Sequence, residues 1–211
     1  MLLFAYVWRN SNSEFELSQS VRLVKKYFPY CKVVVIGDKP SIKGVDEHIQ
    51  HRQVEPTRFG RMSGSVRKLC KLYDEFVLMY DDIFLNDKYD FIPKNRGELK
   101  PYGNTNYQHI ITKCNDYLTH KNLPTLNYEC HQPELINSKK FNEIFKNINK
   151  NTPHFIKTIY FNHLDLETDT IPNLKVDSHN VIRAKKLWRQ HHCFSTGEGL
   201  SSEMRAFIRS L

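Results

Sequence analysis

Asp81 and Asp82 stand side by side in VLMYDDIFL, residues 77–85, with strand-forming apolar residues before and after them. An ionised carboxylate among apolar neighbours is costly unless a counter-charge or a metal compensates it. Adjacent residues of a strand point to opposite faces, so an uninterrupted strand would bury one of the pair. The pattern predicts that a strand ends at Tyr80, that the two aspartates occupy a turn over a sheet edge, and that a short strand restarts at Ile83. Carboxylate oxygens in that position suit Mg²⁺ or Mn²⁺ bridging a diphosphate. The plainer alternative is an Asp-Asp turn that caps two strands.

Such a pair needs a sheet edge to stand on. Residues 2–8, LLFAYVW, form an apolar run of strand length without helical period, followed by the polar loop Arg9-Asn10-Ser11-Asn12. Ser13 with Glu16 makes a capping-box pattern, and Leu17, Val21 and Val24 repeat at helical spacing until Phe28-Pro29. The β-branched run Val33-Val34-Val35-Ile36 then ends in Gly37-Asp38-Lys39-Pro40. This is a βαβ unit, and it predicts an α/β fold with a mixed, mostly parallel sheet flanked by helices. The loops after parallel strands lie side by side, where open α/β sheets bind ligands.

Farther on, residues 41–60 read as polar and irregular, and Val66, Leu69, Cys70 and Tyr73 keep helical spacing. Gly97, Pro101 and Gly103 mark 94–106 as a mobile loop. Ile110, Ile111, Cys114, Tyr117 and Leu118 predict one helix, Phe141, Ile144, Phe145 and Ile148 another, and Leu200, Met204, Phe207, Ile208 and Leu211 a closing amphipathic helix. Without repeats or a linker, residues 1–211 read as one domain.

The 211 residues are 40% hydrophobic and 12% aromatic, which suits a folded chain with one substantial core and excludes a disordered or fibrous one. Against 31 Lys+Arg stand 23 Asp+Glu, a net charge of +8 that favours polyanionic partners or marks a merely basic protein. The basic residues cluster as Arg58, Arg61, Arg67, Lys68 and Lys71, and as Arg183, Lys185, Lys186 and Arg189 with Trp188. Five scattered cysteines without a CxxC read as reduced thiols of a cytoplasmic protein. The N-terminal apolar run is too short for a leader or a membrane span.

Several blocks follow one another in a familiar order: RNSNSEFELSQSVRLVKKYFP, KVVVIGDKP, the Tyr80-Asp81-Asp82 box, YECHQPELINSKKF, TIYFNH and CFSTGE. In that order, from residue 2 to residue 211, the chain resembles the small GT-A-type glycosyltransferases related to the Stealth sugar-phosphate transferases of bacteria and phages. The resemblance implies a single GT-A-like, Rossmann-like domain and a nucleotide-sugar donor, a UDP-sugar first among them. It places Arg9, Asn10 and Asp38 on the nucleotide, Arg61 on the diphosphate, and Mn²⁺ or Mg²⁺ on Asp81 and Asp82. Glu129 and His131 match the segment that faces the reacting sugar, where one of them would prepare an acceptor hydroxyl. The chain departs from the family at Tyr80, which replaces the first polar residue of the aspartate box. Phage relatives add DNA carrying a hydroxylated base to the acceptors, with a surface polysaccharide as the alternative and sugar-phosphate transfer as the alternative reaction.

Each residue also has a structural reading. Arg9 could pair a surface carboxylate, Asp38 could make an Asx turn, His131 beside Pro133 could be a satisfied structural histidine, and Ser195-Thr196 could cap the last helix. His191-His192, at adjacent positions, is a poor spacing for two ligands from a helix. Two other classes compete. LMYDDIFL resembles the YxDD box of reverse transcriptases, but Met79 stands where that tyrosine belongs. A non-catalytic, basic nucleic-acid-binding protein would account for the charge alone.

Overall fold

The first strand, β1 (Leu3–Trp8), is buried from Phe4 to Trp8, and its side chains divide between two cores: Phe4, Tyr6 and Trp8 enter one, Ala5 and Val7 the other. The next strand, β2 (Lys32–Gly37), splits in the same way, Val33 and Val35 against Val34 and Ile36. So does β4 (Glu75–Met79), Val77 and Met79 against Phe76 and Leu78. Continuous apolar strands of this kind require a sheet covered on both faces. The computed structural model describes residues 1–10, 13–52, 58–101, 103, 105–149 and 154–211, with the backbone alone at 58 and 59. Ser11 and Asn12 of the expected polar loop lie outside the described residues.

The main sheet has the order β3-β2-β1-β4-β6, where β3 is Glu47–Gln50 and β6 is Glu134–Asn137. The first four strands are parallel and β6 pairs antiparallel with β4, which is the mixed, mostly parallel sheet expected from the sequence. One face is covered by α1 (Glu14–Tyr27), α6 (Val181–His191) and α7 (Ser202–Ser210), together with a three-stranded sheet of order β5-β8-β7. Those three strands are β5 (Ile83–Leu85), β8 (Cys193–Thr196) and β7 (Lys175–Val176). The other face takes α2 (Arg58–Leu69), α3 (Thr105–His120), α4 (Ser138–Phe145) and α5 (Ile156–Asn162). No described helix is long and apolar enough to cross a membrane. All five cysteines are unbridged and buried, and burial pushes the Cys70 thiol up to about 11 and the Cys114 thiol to about 12.

Two expectations fail for visible reasons. Residues 41–60 are not wholly irregular: β3 runs through them as an edge strand, and Ile49 is its one buried residue, so no period-two pattern could announce it. The segment 94–106 is not a free loop either. Arg96 N–H donates to the Asn127 carbonyl (2.8 Å), Leu99 N–H to the Thr125 carbonyl (2.7 Å) and Ile171 N–H to the Asn95 carbonyl (2.8 Å), and α3 already begins at Thr105. Residues 102 and 104 of this segment lie outside the described residues.

Helix α1 is fixed to the sheet through a polar contact inside the core. Ser20 donates to the Ile83 carbonyl (2.5 Å), and its oxygen stands 2.9 Å from the Tyr6 hydroxyl, which donates to it. Ser20 thereby ties β1, α1 and the first residue after the aspartate pair. Replacing Ser20 with Ala removes the bridge and leaves a buried hydroxyl and a buried carbonyl facing a methyl group. The expected result is a loss of about 1–3 kcal/mol in urea unfolding.

Candidate active site

Ile83 N–H donates to the Tyr80 carbonyl (3.2 Å), closing a turn that has Asp81 and Asp82 as its central residues. The strand restarts at Ile83, as the apolar flanks predicted, and ends at Met79, one residue before the expected Tyr80, whose carbonyl is taken by the turn instead. The restarted strand leaves the main sheet for the small one. There the register sets Ile83 opposite Ser195 and Ser195 beside Lys175, which brings both side chains to the turn. The Ser195 hydroxyl donates to Asp82 Oδ2 (2.8 Å), and Lys175 Nζ lies 3.6 Å from the same oxygen. Thr196 N–H donates to the Asp82 carbonyl (3.1 Å), and its hydroxyl donates to Glu16 Oε1 (2.7 Å). Burial raises the Glu16 carboxyl, the Thr196 hydrogen bond holds it down, and the Asp82 charge raises it again. Ser195 and Thr196 therefore do not cap the last helix. The apolar Cys193-Phe194 draws them into a buried strand, and Ser201 caps α7 by accepting from Met204 N–H (3.1 Å).

The ends of β1 and β2 form the neighbouring part of the edge. Gly37 takes φ +125°, a conformation that suits glycine, and the chain turns there to present Asp38. Asp38 N–H donates to the Trp8 carbonyl (3.3 Å), and Asp38 Oδ2 accepts from Asn10 N–H (2.9 Å). The Asx turn considered for Asp38 has no donor, because Pro40 supplies no N–H. Arg9, Asn10 and Asp38 are exposed together at this edge. Because β1 lies between β2 and β4, Asp38 and the aspartate turn stand two strand spacings apart, about 10 Å. Arg61 is half-buried one turn into α2, on a different element from the others.

His131 approaches from the segment before β6. Its backbone adopts φ +57°, an unusual conformation for a residue with a side chain. Its Nδ1 lies 3.0 Å from Asn173 Oδ1, which also accepts from Lys175 N–H (3.1 Å). That second donor fixes the Asn173 atom as an acceptor, so Nδ1 carries the proton and Nε2 keeps its lone pair. Burial, followed by the charges of Lys157 and Lys175, pushes the His131 pKa down to about 3. The ring stays neutral at physiological pH, able to accept a hydrogen bond but weak as a proton acceptor. Glu129 turns inward instead. Burial raises its carboxyl, while Lys157 and Thr158 hold it down.

Beneath the turn lies a cation that the sequence reading did not single out. Lys157, 1% exposed on α5, places Nζ 3.7 Å from Glu134 Oε1, 3.4 Å from the Gln132 carbonyl and 5.3 Å from the centre of the Tyr80 ring. Gln132 Nε2 also donates to Glu134 Oε1 (3.1 Å). Burial works against the Lys157 charge, but Tyr80, Glu134 and Glu129 outweigh it. The signal was available, since a lysine inside the apolar run FIKTIYF raises the same problem as the aspartates in theirs. Lys175 and Asn173 gave no comparable signal, because in Asn173-Leu174-Lys175-Val176 polar and apolar residues alternate as on any half-exposed strand, and a charge at a polar position of that pattern raises no problem.

Among the described residues no cluster of three or more His, Cys, Asp or Glu could hold a metal ion by itself. The turn offers two carboxylates, and a divalent ion of the Mg²⁺ type commonly takes one or two carboxylates and completes its shell with water and substrate phosphates. The residues present fit such an ion. No family model matches the chain, and no curated protein matches it in sequence. Solved structures do resemble it. They include a glycosyltransferase involved in the glycosylation of the major capsid of PBCV-1, with 12% identity, a TM-score of 0.48 and all of both chains covered. The galactosyltransferase LgtC, in complex with donor and acceptor sugar analogs, has 12% identity and a TM-score of 0.47 over 99% of this chain and 95% of that one. The glycosyltransferase GlyE of Streptococcus pneumoniae TIGR4 has 7% identity and a TM-score of 0.44 over 99% and 59%. At these identities and TM-scores the likeness assigns no residue a role.

Burial raises the Glu134 carboxyl from 4.5 to about 8. Between those values the folded state binds more protons than the unfolded one, so Glu134 makes stability fall as pH rises through that window. In Glu134→Gln the decline in melting temperature from pH 5 to pH 8 should be shallower than in the wild type.

Proposed function

We propose that the protein is a metal-dependent glycosyltransferase that moves a sugar from a nucleotide-sugar donor to a hydroxyl acceptor. The observation that carries this reading is the carboxylate turn of Asp81 and Asp82 at the C-terminal edge of the parallel strands, with the Asp38–Asn10 pair on one side and the neutral His131 linked to it through Lys175 and Asn173 on the other. Asp38, Asn10 and Arg9 would bind the nucleoside portion, and Asp81 and Asp82 would hold the ion, with Arg61 as a further contact to the diphosphate. A bound Mn²⁺ or Mg²⁺ would neutralise charge on the departing diphosphate. His131 Nε2 would accept a hydrogen bond from the acceptor hydroxyl and fix its direction of approach, a positioning contribution suited to a ring that does not readily protonate. The inward-turned Glu129 would act through the buried charge around Lys157.

The acceptor we assign is a polyanion, with DNA carrying a hydroxylated base first and an acidic surface polysaccharide second. Arg183, Lys185, Lys186 and Arg189 are exposed on α6, and Arg183 Nη2 donates to the Asn173 carbonyl (3.1 Å), one residue's width from His131. Arg96 adds to the positive field that acts on His131. A neutral oligosaccharide gains little from such a field, whereas a polyanion is steered by it.

Three measurements test the reading. A UDP-sugar with Mn²⁺ or Mg²⁺ should raise the melting temperature of the wild type, and a complete screen of common sugar nucleotides without a shift would count against it. Asp82→Asn should keep its fold and lose turnover by about 100-fold or more, whereas His131→Ala should lose turnover with donor affinity kept. Transfer to hydroxymethylated DNA should weaken steeply between two salt concentrations. Transfer confined to glycans and indifferent to salt would remove DNA as the acceptor.

A further inference from the structure

Three carboxyl groups crowd the aspartate turn. Asp81 and Asp82 form it, and Glu16 reaches it through Thr196, near enough for the Asp82 charge to act on the Glu16 carboxyl. The deeper cation, Lys157, is already engaged with Glu134 and the Gln132 carbonyl. The ammonium that answers Asp82 is Lys175, and the contact has the marks of an exchangeable one. At 3.6 Å it is longer than a charge-assisted hydrogen bond, and the Asp82 oxygen it faces is already occupied by the Ser195 hydroxyl. The Lys175 side chain is 37% exposed and that of Asp82 21%, so the pair stands at the mouth of the site rather than in its floor. Lysine is also the cation built for such a move, a compact charge on a flexible four-carbon stem. Its backbone, by contrast, is anchored, since Lys175 N–H donates to Asn173 Oδ1 and the residue pairs with Ser195 in the small sheet.

We propose that Lys175 is a resident counter-ion of Asp82 that gives way to a divalent cation and then turns its ammonium to the diphosphate of the donor. The first half concerns the cation alone. A positive charge within 4 Å of a ligand carboxylate opposes a second positive charge there, so Lys175 weakens metal binding in the absence of nucleotide. The second half rests on the donor reading given above. With an ion held by Asp82, the released ammonium would stay at the same edge and would add a charge-assisted contact to the diphosphate of the donor. Lys175 then makes ion and nucleotide bind best together and the ion bind poorly alone, which limits the loading of the site by metal without substrate.

The test compares wild type, Lys175→Met and Lys175→Arg, each checked for an unchanged melting temperature without ligand. Mn²⁺ alone is titrated by water proton relaxation, and UDP in the presence of Mg²⁺ by calorimetry. Lys175→Met should bind Mn²⁺ alone about tenfold more tightly than wild type and UDP–Mg²⁺ about tenfold more weakly, with Lys175→Arg close to wild type in both. Unchanged Mn²⁺ affinity in Lys175→Met, or no Mn²⁺ binding by any of the three, would overturn the proposal. If UDP binds none of the three while Mn²⁺ binds more tightly to Lys175→Met, the exchange at Asp82 stands and the nucleotide-sugar reading falls.

Discussion

The structure depends on the cost of holding ionised carboxylates against an apolar sheet. Two aspartates between hydrophobic strands have to be turned out of the sheet, and once out they need donors and a counter-charge. The small sheet meets that need. Its strands carry Ser195, Thr196 and Lys175 to the turn, and its register makes the three converge on Asp82 and Glu16. Its inward side also closes one core, where Phe84 and Phe194 pack with their ring centres 5.1 Å apart. The same three strands thus bury an apolar face and satisfy an acidic one.

Lys157 solves the corresponding problem on the other face of the main sheet. Glu134 pairs with Leu78 across β4 and β6 and so points to the side where α5 lies. A carboxyl there needs a partner inside the core, and a helix buried along its whole length delivers one. The two faces meet at Tyr80, whose ring lies over the Lys157 ammonium and whose carbonyl closes the aspartate turn. Charge on one side and charge on the other are coupled through one residue of the chain.

How far this was legible in the sequence follows from what each element does. The βαβ opening could be read because its strands are buried on both faces and its helix is buried on one, the two cases where hydrophobic pattern is unambiguous. The turn at Asp81-Asp82 could be read because charge interrupts apolarity there. Helix α5 escaped because a helix buried all round shows no amphipathic period, and β3 escaped because an edge strand with a single buried residue shows no alternation. Within the site, the residues on the strand ends were legible as a group, while Lys175, Asn173 and Glu16 were not. Their importance comes from pairing across the small sheet or from a partner far along the chain, and neither leaves a local trace. Ser195 and Thr196 were noticed but given the role of a cap, which Ser201 in fact performs.

The bond between Thr196 and Glu16 joins residues 180 positions apart, and that between Ser195 and Asp82 spans 113. During synthesis the first four strands of the main sheet are all present long before either donor exists. Local and nearby contacts form early, whereas such distant ones must wait for chain closure. The acidic turn is therefore made before its compensation: the growing chain carries it hydrated until Lys175, Ser195 and Thr196 have been made, and the site is assembled after the sheet edge it stands on rather than as the nucleus of folding.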